Sequence, residues 1–142
     1  MAINMRKVLI GGVVAGVVLA ILDFLINGLI LANQNMAAME ALNPAIAASM
    51  ESASIAGFII LDVLFGLLLV WTYAAIRPRF GAGPKTAVIA AIQIWMVALL
   101  LYAFMTMIGM YSVSYFLVGA AASLVMLVVA AIVGAMLYKE EA

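Results

Sequence analysis

Four long apolar runs, separated by stretches richer in polar residues, Gly and Pro, organise this chain. They cover about 8–31, 55–75, 86–108 and 113–137. A helix that crosses a bilayer needs ~20 consecutive, predominantly apolar residues, and each run meets that length, so each predicts a membrane-spanning α-helix. Arg6 and Lys7 ahead of the first run resemble the start of a signal peptide. That run is too long for one, and no small-residue cleavage site follows it cleanly, so it is expected to remain as a helix.

The connections between the runs differ in character. Segment 76–85 contains Pro78, Gly81, Gly83 and Pro84, residues that stop one helix and free the backbone to reverse before the next, so a tight basic hairpin loop is expected there. Segment 32–54 is longer than a hairpin between helices requires. Within it Met36, Met39 and Leu42 recur at helical spacing. Asn43-Pro44 then interrupts, Asn43 suited to an N-cap and Pro44 to the first helical position. Two short helices are therefore expected, with a Met and Ala surface that rests on its own bundle, on lipid headgroups or on a partner.

Composition agrees with this reading. Of 142 residues, 70% are hydrophobic and 8% charged, with a mean hydropathy of +1.37, whereas soluble domains carry about 25% charged residues. The expected fold is all-α, an integral membrane four-helix bundle forming a single transmembrane domain over 1–142. Cys and His are both absent, which removes thiolate and imidazole ligands, disulfides, and Cys or His nucleophiles. No enzyme activity, metal or cofactor is expected, with bound lipid or pigment left open, and no nucleic-acid partner.

Charge sets the orientation. All six basic residues fall on one side of the predicted membrane: Arg6 and Lys7, then Arg77, Arg79 and Lys85, then Lys139. Both termini are therefore expected to be cytoplasmic, and so uneven a split argues against a dual-topology protein. Arg77, Arg79 and Lys85 are candidates for contact with lipid headgroups, each worth ~1 kcal/mol near an anionic surface; they also serve simply as topology determinants.

The sharpest chemical feature is a pair of acids inside the spans. Asp23 lies about 12 Å from the outer end of the first run and Asp62 about 10 Å from the outer end of the second, at 1.5 Å per residue. Tyr102 and Ser123 reach the same outer half from the third and fourth runs. Asp23 and Asn27 share a stripe with Gly12 and Gly16, Asp62 shares one with Gly66 and Tyr73, and Ser123 shares one with Gly119 and Gly134. Small residues mark close helix contact in membranes, so the acids should face protein. No Lys, Arg or His lies in the spans to neutralise them, so at least one is expected to hold its proton and donate a hydrogen bond. The layer Asp23, Asn27, Asp62, Tyr102 and Ser123 thus reads either as interhelical glue or as a site for a proton, cation or basic substrate.

Gln93 lies on the opposite side of its helix from Tyr102, Thr106, Ala91, Trp95 and Ala98. If that stripe faces inward, Gln93 faces outward and, with Met36 and Met39, becomes a candidate partner contact. Trp71, Tyr73 and Tyr138 are placed by their positions in an inner interfacial belt, Tyr111 and Tyr115 in an outer one. Trp95 is expected in the core.

The stretch Trp71-Thr72-Tyr73-Ala74-Ala75-Ile76-Arg77-Pro78-Arg79-Phe80-Gly81-Ala82-Gly83-Pro84-Lys85-Thr86-Ala87, with the earlier Gly11-Gly12, Asp23 and Asn27-Gly28, resembles a group of small bacterial four-helix inner-membrane proteins of unassigned function. The resemblance implies a multi-pass bacterial inner-membrane location and no activity, so it carries over no functional residue. Two functional readings stand. One is a non-catalytic accessory or structural subunit of a larger bacterial membrane complex, with energy-transducing respiratory or photosynthetic assemblies as candidate hosts, its partners being lipids and other membrane subunits. The other is a small proton-coupled transporter or channel that uses Asp23 and Asp62.

Overall fold

Helix caps and breaks in the computed structural model follow the local chemistry of the chain closely. Residues 3–139 are described, and of Glu51 the backbone alone. Helix α1, Met5–Asp23, is capped by Asn4, whose side chain accepts from the Lys7 N–H at 3.1 Å. The run then changes pitch: Phe24–Ile30 is π-helical, closed by the Leu31 N–H donating five residues back to the Ile26 carbonyl at 2.7 Å. The expected single α-helix over 8–31 is corrected in this respect. A wider turn is not encoded in apolar periodicity, although Asn27-Gly28 in mid-run weakens the α-helical preference there.

The interrupted outer segment forms as expected. Helix α2, Ala32–Leu42, ends at Asn43, which is extended (φ −168°, ψ 126°) and caps α3, Pro44–Glu51, by accepting from the Ala45 N–H at 2.9 Å. Helix α4, Ile55–Phe80, runs past the expected end at Ala75, and the loop expected over 76–85 contracts to 81–83. Pro78 sits in the last turn, where its missing N–H removes one intrahelical bond only. The Gly81 N–H still bonds back to the Arg77 carbonyl at 2.9 Å. Reversal falls to Gly81 (φ +85°) and Gly83 (φ +127°), in a region of backbone space that glycine tolerates. Thr86, 1% exposed, donates to the Gly81 carbonyl at 2.7 Å and lies 3.3 Å from that of Phe80, satisfying orphan acceptors at the helix end. Helix α5, Pro84–Met107, begins with proline at its first position, and α6, Val113–Leu137, is capped by Ser112 accepting from the Tyr115 N–H at 3.1 Å.

All regular structure among the described residues is helical, and four of the helical stretches, Met5–Ile30, Ile55–Phe80, Pro84–Met107 and Val113–Leu137, are long and apolar enough to cross a membrane. α1 packs chiefly against α4 and then α6, while α5 packs against α6 and α4. Glycine makes the α1–α4 approach possible. A Cβ on Gly66 would meet the backbone of Gly12 and Gly16, and one on Gly12 would lie 2.7 Å from the Leu67 Cα. Gly134 packs on Val70 and Ala15, and a Cβ on Gly11, not anticipated in this role, would lie 2.7 Å from the Gly134 carbonyl oxygen. Gly119 is a correction: a Cβ there meets nothing within 4 Å, because it borders open space between the helices.

Ala15, Leu69, Val70, Ala87, Ala90, Ala91, Ala130 and Ala131 form a core of mostly small residues. Large apolar side chains point outward, among them Leu9, Ile21, Ile60, Leu64, Leu100, Leu117 and Met136. This arrangement reverses the pattern of a water-soluble domain. At the end bearing the α4–α5 turn, Tyr73 and Tyr138 are 3% and 4% exposed, so they belong to the core and not to the interfacial belt expected for them. Their rings meet edge to face at 5.9 Å. The Tyr73 hydroxyl accepts from the Gly83 N–H at 3.1 Å, and that of Tyr138 from the Asn4 N–H at 3.2 Å. These bonds replace water as the donor to each tyrosine oxygen. Trp71 remains exposed.

Candidate functional site

At the other end the four long helices part around a cavity of about 270 Å³. Asp23 is the last residue of α1, and its carboxylate accepts from the Asn27 amide at 2.7 Å, one turn on in the π-helical stretch. Asn35 of α2 folds back so that its amide donates to the Asn27 backbone carbonyl at 3.2 Å and lies 3.5 Å from its side-chain oxygen. The acid, the π-helical stretch and the capping helix are thereby tied into one chain of hydrogen bonds. Asp62, in the second turn of α4, reaches the cavity from the next helix and makes no hydrogen bond with any described residue.

The remaining walls come from α5 and α6. Trp95 and Tyr102 line one side; Trp95 donates its indole N–H to the Ala120 carbonyl at 2.9 Å, tying α5 to α6. Tyr115 and Ser123 line the other, and the Ser123 hydroxyl is turned back to the Ala120 carbonyl at 3.1 Å. Tyr102, Tyr111 and Tyr115 form a run of contacting rings, with centroids 5.8 Å and 5.2 Å apart. Leu19, Met126 and Leu127 form the floor. Below it the fully buried Ala15, Leu69, Val70 and Ala130 fill the space down to the basic end.

The expected polar layer is therefore assembled: Asp23, Asn27, Asp62, Tyr102 and Ser123 all line this one cavity. Ala91 is buried, and Trp95, Ala98 and Tyr102 line the cavity, Tyr102 with half its surface exposed, whereas Thr106, expected on the same stripe, is not among the lining residues. Gln93 is exposed between Ile92 and Met96 on an otherwise apolar face, as its phase implied. Sequence reasoning missed Phe65, Gln34 and Asn35 as lining residues. Phase on α4 could have placed Phe65, which lies three residues beyond Asp62. The inward reach of Gln34 and Asn35 depends on how α2 folds back over the helix ends.

Other expected contacts are redistributed. Met36 and Met39 are half-buried, and Met36 faces Pro44 and Ala47 of α3 across an open cleft, so part of the expected partner surface is turned toward the chain itself. Arg77 holds its guanidinium 5.6 Å above the Tyr138 ring, in cation–π range, whereas Arg79 and Lys85 are exposed. The lining carries two carboxyls and no Lys or Arg. Among the described residues no three His, Cys, Asp or Glu side chains converge as a metal site would require. No protein-family model, curated protein or solved structure matches this chain.

Proposed function

We propose that the chain is a small, non-catalytic, proton-coupled transporter that crosses a bacterial inner membrane as a four-helix bundle, both termini on the cytoplasmic side. Four helices of spanning length and an apolar exterior support the membrane placement. The confinement of all six basic residues to the α4–α5 end and the two chain ends supports the orientation. Arg79 and Lys85, exposed at that end, would meet anionic headgroups.

The single observation that carries the transport reading is the cavity that gathers Asp23 and Asp62 from two helices without a basic partner. Acids at membrane depth are costly and usually lie on ion, proton or substrate paths, and a void beside them gives such a species somewhere to sit. The packed Ala15, Leu69, Val70 and Ala130 layer separates the cavity from the basic end. Transport then proceeds by alternating access and not through a continuous pore. The test is proton uptake into potassium-loaded proteoliposomes treated with valinomycin, with a pH-sensitive dye entrapped. Uptake by the native chain that is lost in Asp62→Asn is expected; unaltered uptake in both Asp23→Asn and Asp62→Asn would sink the reading.

A second reading, the accessory or structural subunit of a larger membrane complex, is favoured by Gln93. Its exposed amide lies nine residues into α5, about 14 Å along the helix, where lipid offers no hydrogen-bond partner and a neighbouring subunit would. Native mass measurement after gentle extraction tests it. Fixed stoichiometric partners would favour this reading, and a free monomer or homo-oligomer would remove it.

A further inference from the structure

We propose that the cavity between the four long helices binds a small organic ammonium ion, an amine carried on an apolar body about the size of one ring. The inference rests on the transport reading and adds the chemical class of what enters.

Charge comes first. The cavity presents Asp23 and Asp62 and no basic side chain, so a positive counter-charge has to come from outside the protein, as a proton or with a ligand. The two acids are not equivalent. Asp23 already accepts from the Asn27 amide at 2.7 Å, while Asp62 has no hydrogen-bond partner among the described residues and keeps its acceptors for the N–H groups of an ammonium. The apolar body follows from the walls. Phe65, Trp95 and Tyr102 give aromatic surface to the same cavity, and because the Trp95 N–H is taken by the Ala120 carbonyl, the indole brings no free donor that would repel a cation. Aromatic faces attract ammonium ions. They contribute little to stripping water from an inorganic cation, which calls for a cage of several oxygens.

Size separates an organic cation from a proton. A proton relay needs no void, whereas this one measures about 270 Å³, just under the ~300–1,000 Å³ of sites for drug-sized ligands. One ring with a short amine arm fits that space.

The chain contains two tryptophans, and Trp71 is exposed near the far end of α4, outside the cavity. In a Trp71→Phe background Trp95 becomes the sole tryptophan, inside the site, and is excited selectively at the red edge where tyrosine does not absorb. The full chain in nanodiscs is titrated with phenethylammonium, with neutral phenethyl alcohol and with methylammonium. A saturable change in Trp95 emission is expected with phenethylammonium and none with the alcohol, and methylammonium should bind at least tenfold more weakly for lack of a body. Asp62→Asn should weaken phenethylammonium at least tenfold, and Asp62→Glu by less. If Asp62→Asn does not fold, the ligand series on the parent still decides the matter. Equal responses to the amine and the alcohol, or no saturable response, would overturn the assignment. Asp62-dependent proton uptake without amine binding would overturn the ammonium ligand and leave the transport reading standing. Amine binding without proton movement would do the reverse.

Discussion

Gly66→Ala probes the contact on which the two acid-bearing helices depend. Gly66 lies one turn beyond Asp62, and a Cβ added there would fall on the backbone of Gly12 and Gly16, 2.6 Å from the Gly16 Cα. Carbon atoms prefer separations of ~3.5–4.0 Å, so α1 and α4 would have to part by about 1 Å. A gap of that size forfeits about half of each dispersion contact along the seam. Set against a gain of about 1 kcal/mol from replacing a helical glycine, the net loss should be about 2–3 kcal/mol, within the usual range for overpacking. Gly119→Ala is the control, since its Cβ meets nothing within 4 Å; it should be neutral or slightly stabilising. Reversible unfolding of both variants in mixed micelles, titrated with sodium dodecyl sulfate and followed by helical circular dichroism, measures the difference. A Gly66→Ala chain as stable as Gly119→Ala would refute the reasoning, because it would mean that α1 and α4 do not meet backbone to backbone at this point.

Thr86→Val should destabilise by about 1 kcal/mol in the same assay, because an isosteric apolar side chain leaves the Gly81 carbonyl without its 2.7 Å donor; Thr86→Ser, which keeps the hydroxyl, should recover most of that loss. Tyr138→Phe keeps the ring contact with Tyr73 but removes the acceptor for the Asn4 N–H. A cost of about 1 kcal/mol is expected, with faster amide exchange at the start of α1 as its local signature. Asn35→Ala cuts the tie from α2 to Asn27 and should raise hydrogen exchange in residues 32–42 while leaving α4 and α5 unchanged. Uniform exchange across the chain would show that the capping helices are held by something else. Asp23→Leu should cost more stability than Asp23→Asn, since the amide still offers an oxygen to Asn27 whereas leucine strands its donor.

Hydrophobic periodicity and run length determined much of this molecule without any tertiary information. The four long helices, the break at Asn43-Pro44 and the capping role of Asn43 follow from local rules, because each depends on residues within a turn or two of one another. The inward phase of Asp23, Asp62, Tyr102 and Ser123 was legible for the same reason: in an apolar chain the few polar and small residues mark the faces that meet protein. What the tertiary structure decided was the use of those faces. Gly12, Gly16 and Gly66 share small size with Gly119, yet the first three touch backbone and the last borders a void. Tyr73 and Tyr138 occupy the positions of interfacial residues, and it is the approach of Asn4 and Gly83 that buries them. Pro78 reads as a stop, but placed in a last turn it costs one bond, and the helix continues to Phe80. The cavity itself depends on α1 and α4 closing tightly at one end and on α2 folding back to bring Gln34 and Asn35 over the other. These are distances between segments far apart in the chain, set by how packed surfaces fit together, and no local pattern carries them.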